Sequence, residues 1–157
     1  MKALDRFKDE IERAAAEFGV DPDLVRAIVM TESAGDPWAI RFEPAFYDRY
    51  IVGNKDYAKA SATERMAAAT SWGLMQVMGA VARERGFRGR YLSELCEPIV
   101  GLRYGVKHFY HFLAKYRDQN KAVAAYNAGS ARYKPGGGFV NQDYVDKVLG
   151  WLAKIKA

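Results

Sequence analysis

Glu32 is the residue whose position most directly indicates chemistry. It follows Ile28 by four residues and Val29 by three, so on a helix it projects from the same face as these apolar side chains. Burial disfavours an ionised carboxyl group, and so does the negative end of a helix dipole, so both raise the pKa. A carboxyl group of this kind can donate a proton near neutral pH. The alternative is a helix-end glutamate bonded to a neighbouring arginine or amide.

The segment from Ser71 to Val77 combines a glycine with a polar amide. Gly73 would let a ligand approach the backbone closely, and Gln76 could both donate and accept a hydrogen bond. The same residues would also suit ordinary helix packing, with Met75 filling a gap in the core. This segment alone does not decide between a binding site and a packed helix.

A third segment, AYNAG at residues 125–129, places two polar groups beside an apolar stripe. Tyr126 follows Ala122 by four residues, and Asn127 follows Val123 by four. Buried polar groups need hydrogen-bond partners, and these two could bond to each other, to the backbone or to a ligand. The alternative is a core tyrosine followed by an asparagine–glycine helix end.

The elements that must position these residues are predicted to be helices. Apolar residues recur every three or four positions over residues 4–18, and Gly19 follows as a stop. A second helix has Asp21 as its N-cap and Pro22 in its first turn, and it extends to about residues 31–33. This second helix carries Glu32 at its end.

Further helices are predicted downstream from the same periodicity. They are an alanine-rich helix at 56–69, a helix capped by Ser71 that carries Leu74 to Ala82, a long helix opening at Pro98, a shorter one before Gly129 and a last one over residues 144–155. Between Gly35 and about Gly53 the periodicity is lost among prolines and aromatic residues, so we expect an ordered, irregular segment there. No internal repeat and no strand are predicted.

The composition bounds the remaining possibilities. With 157 residues, 50% of them hydrophobic and 27% charged, the chain fits one folded domain and excludes a disordered protein. No apolar run approaches the roughly 20 residues of a membrane-spanning helix, and residues 1–13 lack the apolar core of a secretory signal. The lone Cys96 excludes an intrachain disulfide. The net charge of +5 favours anionic polymers such as nucleic acid, membranes or bacterial envelopes.

Taken in order, these segments resemble the motifs of soluble lytic transglycosylase domains. The matching residues are Glu32-Ser33, Gly73-Leu74-Met75-Gln76, Ala125-Tyr126-Asn127-Ala128-Gly129 and Tyr144-Val145 before Val148, with Glu97-Pro98, Gly101, Gly105 and Phe109 similar to the family's long helix. Each motif alone is weak evidence, whereas the ordered set is specific. The resemblance spans roughly residues 18–150.

The resemblance implies a mainly α, lysozyme-like fold with a glycan-binding groove, in a single domain over residues 1–157. It implies cleavage of the β-1,4 bond between N-acetylmuramic acid and N-acetylglucosamine, with a 1,6-anhydromuramic product and with neither a metal nor another cofactor. Glu32 would protonate the glycosidic oxygen, the sugar's 2-acetamido group would assist, and the ionised Glu32 would then deprotonate the C6 hydroxyl. By the same resemblance the substrate-binding residues are Ser33, Met75, Gln76, Tyr126, Asn127 and Tyr144, of which Tyr144 would hydrogen-bond near Glu32 and tune it.

The sequence departs from the family pattern between its first two motifs. The distance from Glu32 to Gly73 is longer than a typical member has, so residues 35–70 are expected to hold an irregular insertion. Its carboxylates include Glu43, which could activate water and make the protein a hydrolase like goose-type lysozyme. The alternative is that Glu43 is a solvated loop charge.

Three functions are therefore considered: a lytic transglycosylase, a muramidase on the same scaffold, and a non-catalytic helical module that binds glycan or nucleic acid. Basic residues are interspersed with acidic ones instead of clustering on one helix, which argues against nucleic acid. His108 and His111 lie three residues apart without a matching acidic motif, so we expect a helix-surface or core-edge pair and no metal site.

The expected partner is the glycan strand of peptidoglycan, bound by a monomer. The expected place of action is the periplasm or the cell wall. Because the sequence shows no signal peptide, we expect delivery by a phage, specialised export, or trimming of an exported protein.

Overall fold

In the computed structural model, residues 2–157 form nine α-helices and three short β-strands. The helices are α1 (Lys2–Asp5), α2 (Lys8–Phe18), α3 (Pro22–Glu32), α4 (Pro44–Phe46), α5 (Ala62–Ala68), α6 (Gly79–Glu84), α7 (Pro98–Tyr116), α8 (Gln119–Ala128) and α9 (Gln142–Lys156). The strands are β1 (Ile40–Phe42), β2 (Thr70–Trp72) and β3 (Val77–Met78). A π-helical turn covers Tyr47–Ile51, and 3₁₀ turns cover Lys55–Tyr57 and Leu92–Cys96. The predicted mainly α class is confirmed.

The predicted N-terminal helix is divided in two. Phe7 leaves the helical conformation, with φ −115° and ψ 16°, and α2 begins after it. The apolar stripe continues across the break, since Leu4, Phe7 and Ile11 are all buried. Arg6 lies in the break and donates a 3.0 Å hydrogen bond to the carbonyl oxygen of Gly35. The prediction of one continuous helix was wrong because periodicity reports the buried face and not the backbone conformation.

Helix α3, which carries Glu32, begins and ends where the sequence predicts. The Asp21 side chain accepts a 2.9 Å hydrogen bond from the amide of Asp23, and Pro22 occupies the first turn. The apolar face of α3 is buried and packs against α2 and α9. Glu32 is the last helical residue and is half-buried.

The three strands form one antiparallel sheet in the order β1-β2-β3. Arg41 pairs with Ser71 between β1 and β2, and Ser71 pairs with Met78 between β2 and β3. The predicted N-cap role of Ser71 is therefore wrong, because the residue lies within a strand and the next helix begins at Gly79. The prediction of no strands was also wrong, because strands of two or three residues are too short to show an alternating pattern.

The insertion at residues 35–70 is more regular than predicted. It contains β1, α4, the π-helical turn and α5. Helix α5 begins at Ala62, because Ser61 caps it by accepting a 3.1 Å hydrogen bond from the amide of Glu64. The prediction of a helix over residues 56–69 is thus correct only in its second half.

Helices α7, α8 and α9 confirm the remaining helix predictions. Helix α7 opens at Pro98, and α8 ends at Ala128, where the following Gly129 provides the left-handed cap with a φ of +79°. Helix α7 packs against α2 and α8, while α9 packs against α3 and α8. The helices near the two ends of the chain therefore meet around one core. Within residues 2–157, no helix is long and apolar enough to cross a membrane.

Candidate active site

A cavity of about 490 Å³ opens between the sheet and helices α7 and α8. Five of the residues predicted for the site line it, namely Glu32, Glu43, Gln76, Tyr126 and Asn127. Arg41 of β1 and His108 of α7 line it as well. The structure thus brings side chains from α3, the sheet, α7 and α8 to one place, although they are distant in sequence.

The half-buried carboxyl group of Glu32 has a pKa raised to about 7, against an ordinary value of 4.5. Removal from water is the main cause. It outweighs two effects that lower the pKa, namely the hydrogen bond from Tyr144 and the positive charge of Arg41. Near neutral pH the group is therefore divided between its acid and carboxylate forms, so it can both donate and accept a proton.

The Tyr144 side chain does not line the cavity but holds one oxygen of Glu32. Its hydroxyl donates a 2.6 Å hydrogen bond to Glu32 Oε1, as the family resemblance implies. Burial and the nearby Glu32 carboxyl raise the pKa of Tyr144, so the phenol stays protonated and remains a donor. Because Oε1 is engaged in this way, Oε2 is left as the oxygen that can carry the acid proton.

Side-chain hydrogen bonds hold the turn between β2 and β3 in place beside the cavity. The Tyr126 hydroxyl donates to the carbonyl oxygen of Met75 at 2.7 Å, and the Ser33 hydroxyl donates to that of Leu74 at 2.8 Å. The Met75 side chain is fully buried and packs against Gly105 of α7. Ser33 and Met75 were predicted to line the groove, but their side chains hold this turn and do not line the cavity.

The two amide side chains on the cavity wall have fixed orientations. Gln76 donates from Nε2 to the carbonyl oxygens of Ala39 and Gly73 at 2.8 and 3.0 Å, which leaves Oε1 as an acceptor. Asn127 accepts a 2.9 Å hydrogen bond at Oδ1 from Nδ2 of Asn141, which leaves its own Nδ2 as a donor. The cavity wall therefore offers one acceptor and one donor amide group to a polar ligand.

Arg41 and Glu43 form an ion pair on the cavity wall, with Arg41 Nε 2.7 Å from Glu43 Oε1. The Arg41 side chain is 73% exposed, whereas that of Glu43 is 28% exposed. The positive charge of Arg41 also lowers the pKa of Glu32. Sequence reasoning missed Arg41, because one arginine in a segment without periodicity gives no signal. The pairing of β1 with β2 is what places it here.

His108 forms part of the cavity wall as a neutral imidazole. Burial is the main cause that lowers its pKa to about 3, and the charge of Arg85 adds to it. Arg85 donates from Nε to His108 Nδ1 at 3.2 Å, and the ring packs against Tyr126 and Phe112. Across residues 2–157, no group of three or more histidine, cysteine, aspartate or glutamate side chains is arranged to hold a metal ion.

Comparison with known proteins identifies the family. Residues 9–138 match the family model described as the transglycosylase SLT domain. The chain belongs to this family. The matched region begins at the second residue of α2, contains α3 to α8 and the motifs around Glu32, Gln76 and Asn127, and ends before α9. Tyr144, the hydrogen-bond donor to Glu32, lies outside the matched region.

A solved structure shares the fold of this SLT domain. It is an inactive glutamate-to-glutamine mutant of the lytic transglycosylase Slt from Pseudomonas aeruginosa, with a TM-score of 0.64 and 20% sequence identity. The match covers 94% of this chain and 23% of that chain. The likeness confirms the lysozyme-like fold expected from the sequence, and this chain spans about a quarter of the length of the protein it matches.

Proposed function

We propose that this SLT domain is a peptidoglycan lytic transglycosylase in which Glu32 is both the general acid and the general base. The observation that carries the proposal is the state of Glu32, a carboxyl group on a cavity wall with a pKa of about 7 and one oxygen held by Tyr144. Family membership supports the substrate class, the β-1,4 bond between N-acetylmuramic acid and N-acetylglucosamine.

The proposed reaction uses Glu32 in two protonation states. The protonated carboxyl group donates its proton to the glycosidic oxygen, the bond from that oxygen to C1 breaks, and the 2-acetamido oxygen of the muramic residue bonds to C1. The C6 hydroxyl oxygen then displaces the acetamido oxygen at C1, and the Glu32 carboxylate takes the hydroxyl proton. Glu32 is protonated again at the end, and the 1,6-anhydro ring is formed without consuming water.

The surroundings of Glu32 suit both steps. Burial favours the neutral acid that the first step requires. The hydrogen bond from Tyr144 and the charge of Arg41 favour the carboxylate that the first step leaves behind. A pKa of about 7 is the balance of these effects, and a catalytic acid works best when its pKa lies near the operating pH.

We assign the substrate contacts to the side chains on the cavity wall. Gln76 offers its Oε1 as an acceptor, Asn127 offers its Nδ2 as a donor, and Tyr126 lines the cavity and holds the turn through its hydrogen bond to the carbonyl oxygen of Met75. Ser33 and Met75 act through that turn, and Tyr144 acts through Glu32.

Glu43 supports a second candidate function, because it lines the same cavity as Glu32. A second carboxylate that activates water would make the protein a muramidase, whose products have reducing ends. The ion pair with Arg41 engages one oxygen of Glu43 and competes with that role. The chemical nature of the new sugar end therefore separates the two functions.

The proposed partner is the glycan strand of peptidoglycan, and the proposed place of action is the periplasm or the cell wall. The cavity is formed by side chains of one chain, so we propose that a monomer suffices. Phage delivery, specialised export and trimming of an exported protein are all compatible with this place of action.

The test is digestion of purified peptidoglycan by the wild-type protein, Glu32→Gln and Glu43→Gln, with sugar ends identified by mass spectrometry. Glutamine keeps the shape of each side chain but removes the titratable proton. We expect 1,6-anhydro ends from the wild type and from Glu43→Gln, and none from Glu32→Gln. Reducing ends that vanish in Glu43→Gln would indicate the muramidase. Glycan binding without cleavage by any of the three proteins would indicate a non-catalytic module.

A further inference from the structure

Asn141 occupies the N-cap position of α9, yet its side chain does not cap that helix. Asparagine is among the residues best suited to accept a hydrogen bond from the first turn of a helix. Its Nδ2 instead donates to Oδ1 of Asn127 at 2.9 Å and to the carbonyl oxygen of Ala124 at 3.0 Å. The side chain is turned away from its own helix and towards α8.

The side-chain oxygen of Asn141, Oδ1, is left without a hydrogen bond in this arrangement. This oxygen is fully buried and has no hydrogen-bond partner among residues 2–157. A buried acceptor without a partner disfavours the folded state. The Asn141 side chain thus makes two donated hydrogen bonds to α8, while α9 lacks a side-chain cap and Oδ1 of Asn141 lacks a partner in the described part of the chain. These observations favour a role for Asn141 in the site over a role in stability.

The chemistry of these contacts fixes the orientation of both amide groups. A backbone carbonyl can only accept, so Ala124 requires Asn141 to turn its NH₂ group towards α8. Asn127 must then present its oxygen to that NH₂ group, as it does. The Nδ2 of Asn127 is left as the polar atom that a ligand in the cavity can meet.

We propose that Asn141 is a positioning residue that holds Asn127 as a hydrogen-bond donor to the glycan. The proposal rests on the proposed function, because the ligand it concerns is an N-acetylated glycan in the cavity that Asn127 and Glu32 share. The glycan group that meets Asn127 must then be an acceptor, and the carbonyl oxygen of an acetamido group has this chemistry. Asn141 itself does not line the cavity.

Two substitutions at position 141 separate positioning from structural support. Asn141→Asp keeps the shape but replaces the NH₂ group with oxygen, so Asn127 can bond to it only by turning its own NH₂ group inwards and its oxygen to the ligand. Asn141→Ala removes both hydrogen bonds and leaves the Asn127 amide free to turn either way. A positioning role therefore predicts that the aspartate variant binds glycan more weakly than the alanine variant, although aspartate is the closer match in size.

The experiment measures calorimetric affinity for a hexasaccharide of β-1,4-linked N-acetylglucosamine, in Glu32→Gln protein so that nothing is cleaved. We expect Asn141→Asp to weaken binding about tenfold, roughly the effect of one lost hydrogen bond to a ligand. Combined with Asn127→Ala, the same substitution should change the affinity less than about twofold, because the group it acts through is gone. The proposal would be overturned if Asn141→Asp lowered the affinity equally with Asn127 present and with Asn127→Ala, or if it lowered the affinity in neither protein.

A readout without ligand separates this proposal from the proposed function. In the ¹⁵N NMR spectrum, the side-chain amide signal of Asn127 should shift in Asn141→Asp, because its oxygen loses the bonded NH₂ group. An unchanged signal would overturn the positioning role. A shifted signal in a protein that neither binds the hexasaccharide nor cleaves peptidoglycan would uphold the orientation of Asn127 and refute the proposed function instead.

Discussion

The hydroxyl group of Tyr144 donates a 2.6 Å hydrogen bond to Oε1 of Glu32, across a separation of 112 residues. The bond favours the carboxylate form, so it lowers a pKa that burial raises. The packing of α9 on α3 brings the two side chains together. The acid strength of Glu32 is thus set by tertiary structure and not by its neighbours in sequence.

Removing the Tyr144 hydroxyl is expected to raise the pKa of Glu32 above about 7, because the carboxylate loses its donor. Since the first step needs the acid form, Tyr144→Phe should move the high-pH limb of the activity profile to higher pH. The maximal rate should fall roughly tenfold, because the carboxyl group is less well oriented. The measurement is the release of anhydro products as a function of pH. Tyr110→Phe, an exposed position on α7, is the control, and a limb moved to lower pH would contradict the prediction.

The stability of the protein should depend on pH through Glu32. Below about pH 4.5 the carboxyl group is protonated in both the folded and the unfolded chain, so it adds no pH dependence. As the pH rises to about 7 the unfolded chain releases its proton first, and the free energy of unfolding falls by at most about 3 kcal/mol. Above that pH the loss is complete.

Glu32→Gln removes this loss, so the variant is expected to be more stable than the wild type at pH 8 by up to about 3 kcal/mol. The advantage should shrink as the pH is lowered to 4. Urea unfolding at both pH values measures it, with Glu43→Gln as the matched control. A stability difference between the wild type and Glu32→Gln that does not vary with pH would refute the assignment.

Arg41→Gln is expected to raise the pKa of Glu32, because the positive charge that lowers it is removed. The high-pH limb of activity should move to higher pH, and the effect should weaken in high salt, since the Arg41 side chain is largely exposed. Arg49→Gln is the control, because the Arg49 guanidinium lies over the Tyr50 ring and does not line the cavity. A profile that responds equally to both substitutions would argue against a specific effect of Arg41.

Two glycine-to-alanine substitutions should have opposite effects on stability. A Cβ at Gly105 in α7 would lie 2.6 Å from Sδ and 2.7 Å from Cβ of Met75, so it would displace the turn that Tyr126 holds. We expect Gly105→Ala to lower the free energy of unfolding by about 1–3 kcal/mol and to reduce activity. Gly150 in α9 has no neighbour within 4 Å, so Gly150→Ala should stabilise the protein by about 0.5–1 kcal/mol. Urea unfolding of both variants measures the difference.

The sequence was sufficient to predict the parts of the site that depend on local pattern. The N-cap at Asp21 and the apolar stripe of α3 predicted the helix that ends at Glu32, and burial predicted the direction in which its pKa is shifted. Gln76 was singled out correctly as a polar group on the cavity wall, but it was predicted within a helix. Gln76 lies in a turn and has a φ of +49°. Only glycine adopts this left-handed conformation readily, so a glutamine in the sequence gives no sign of it.

The remaining parts of the site depend on contacts between distant segments. Arg41 reaches the cavity because β1 pairs with β2 across the insertion, and strands this short leave no pattern in the sequence. Asn141 was not noticed, because an asparagine before a helix predicts an ordinary cap. Ser33 and Met75 were assigned from the family resemblance, which indicates which residues matter but not whether they touch the ligand or hold the turn beneath it.

The wide separation of Glu32 and Tyr144 also orders events during translation. A ribosome reading this sequence produces α3 before α9, so a nascent chain carries Glu32 without the helix that completes its surroundings until α9 has been made. The hydrogen bond between them can form only once α9 has emerged and docked. An enzyme of the proposed kind would therefore gain its full ability to cut glycan only after α9 has docked on α3.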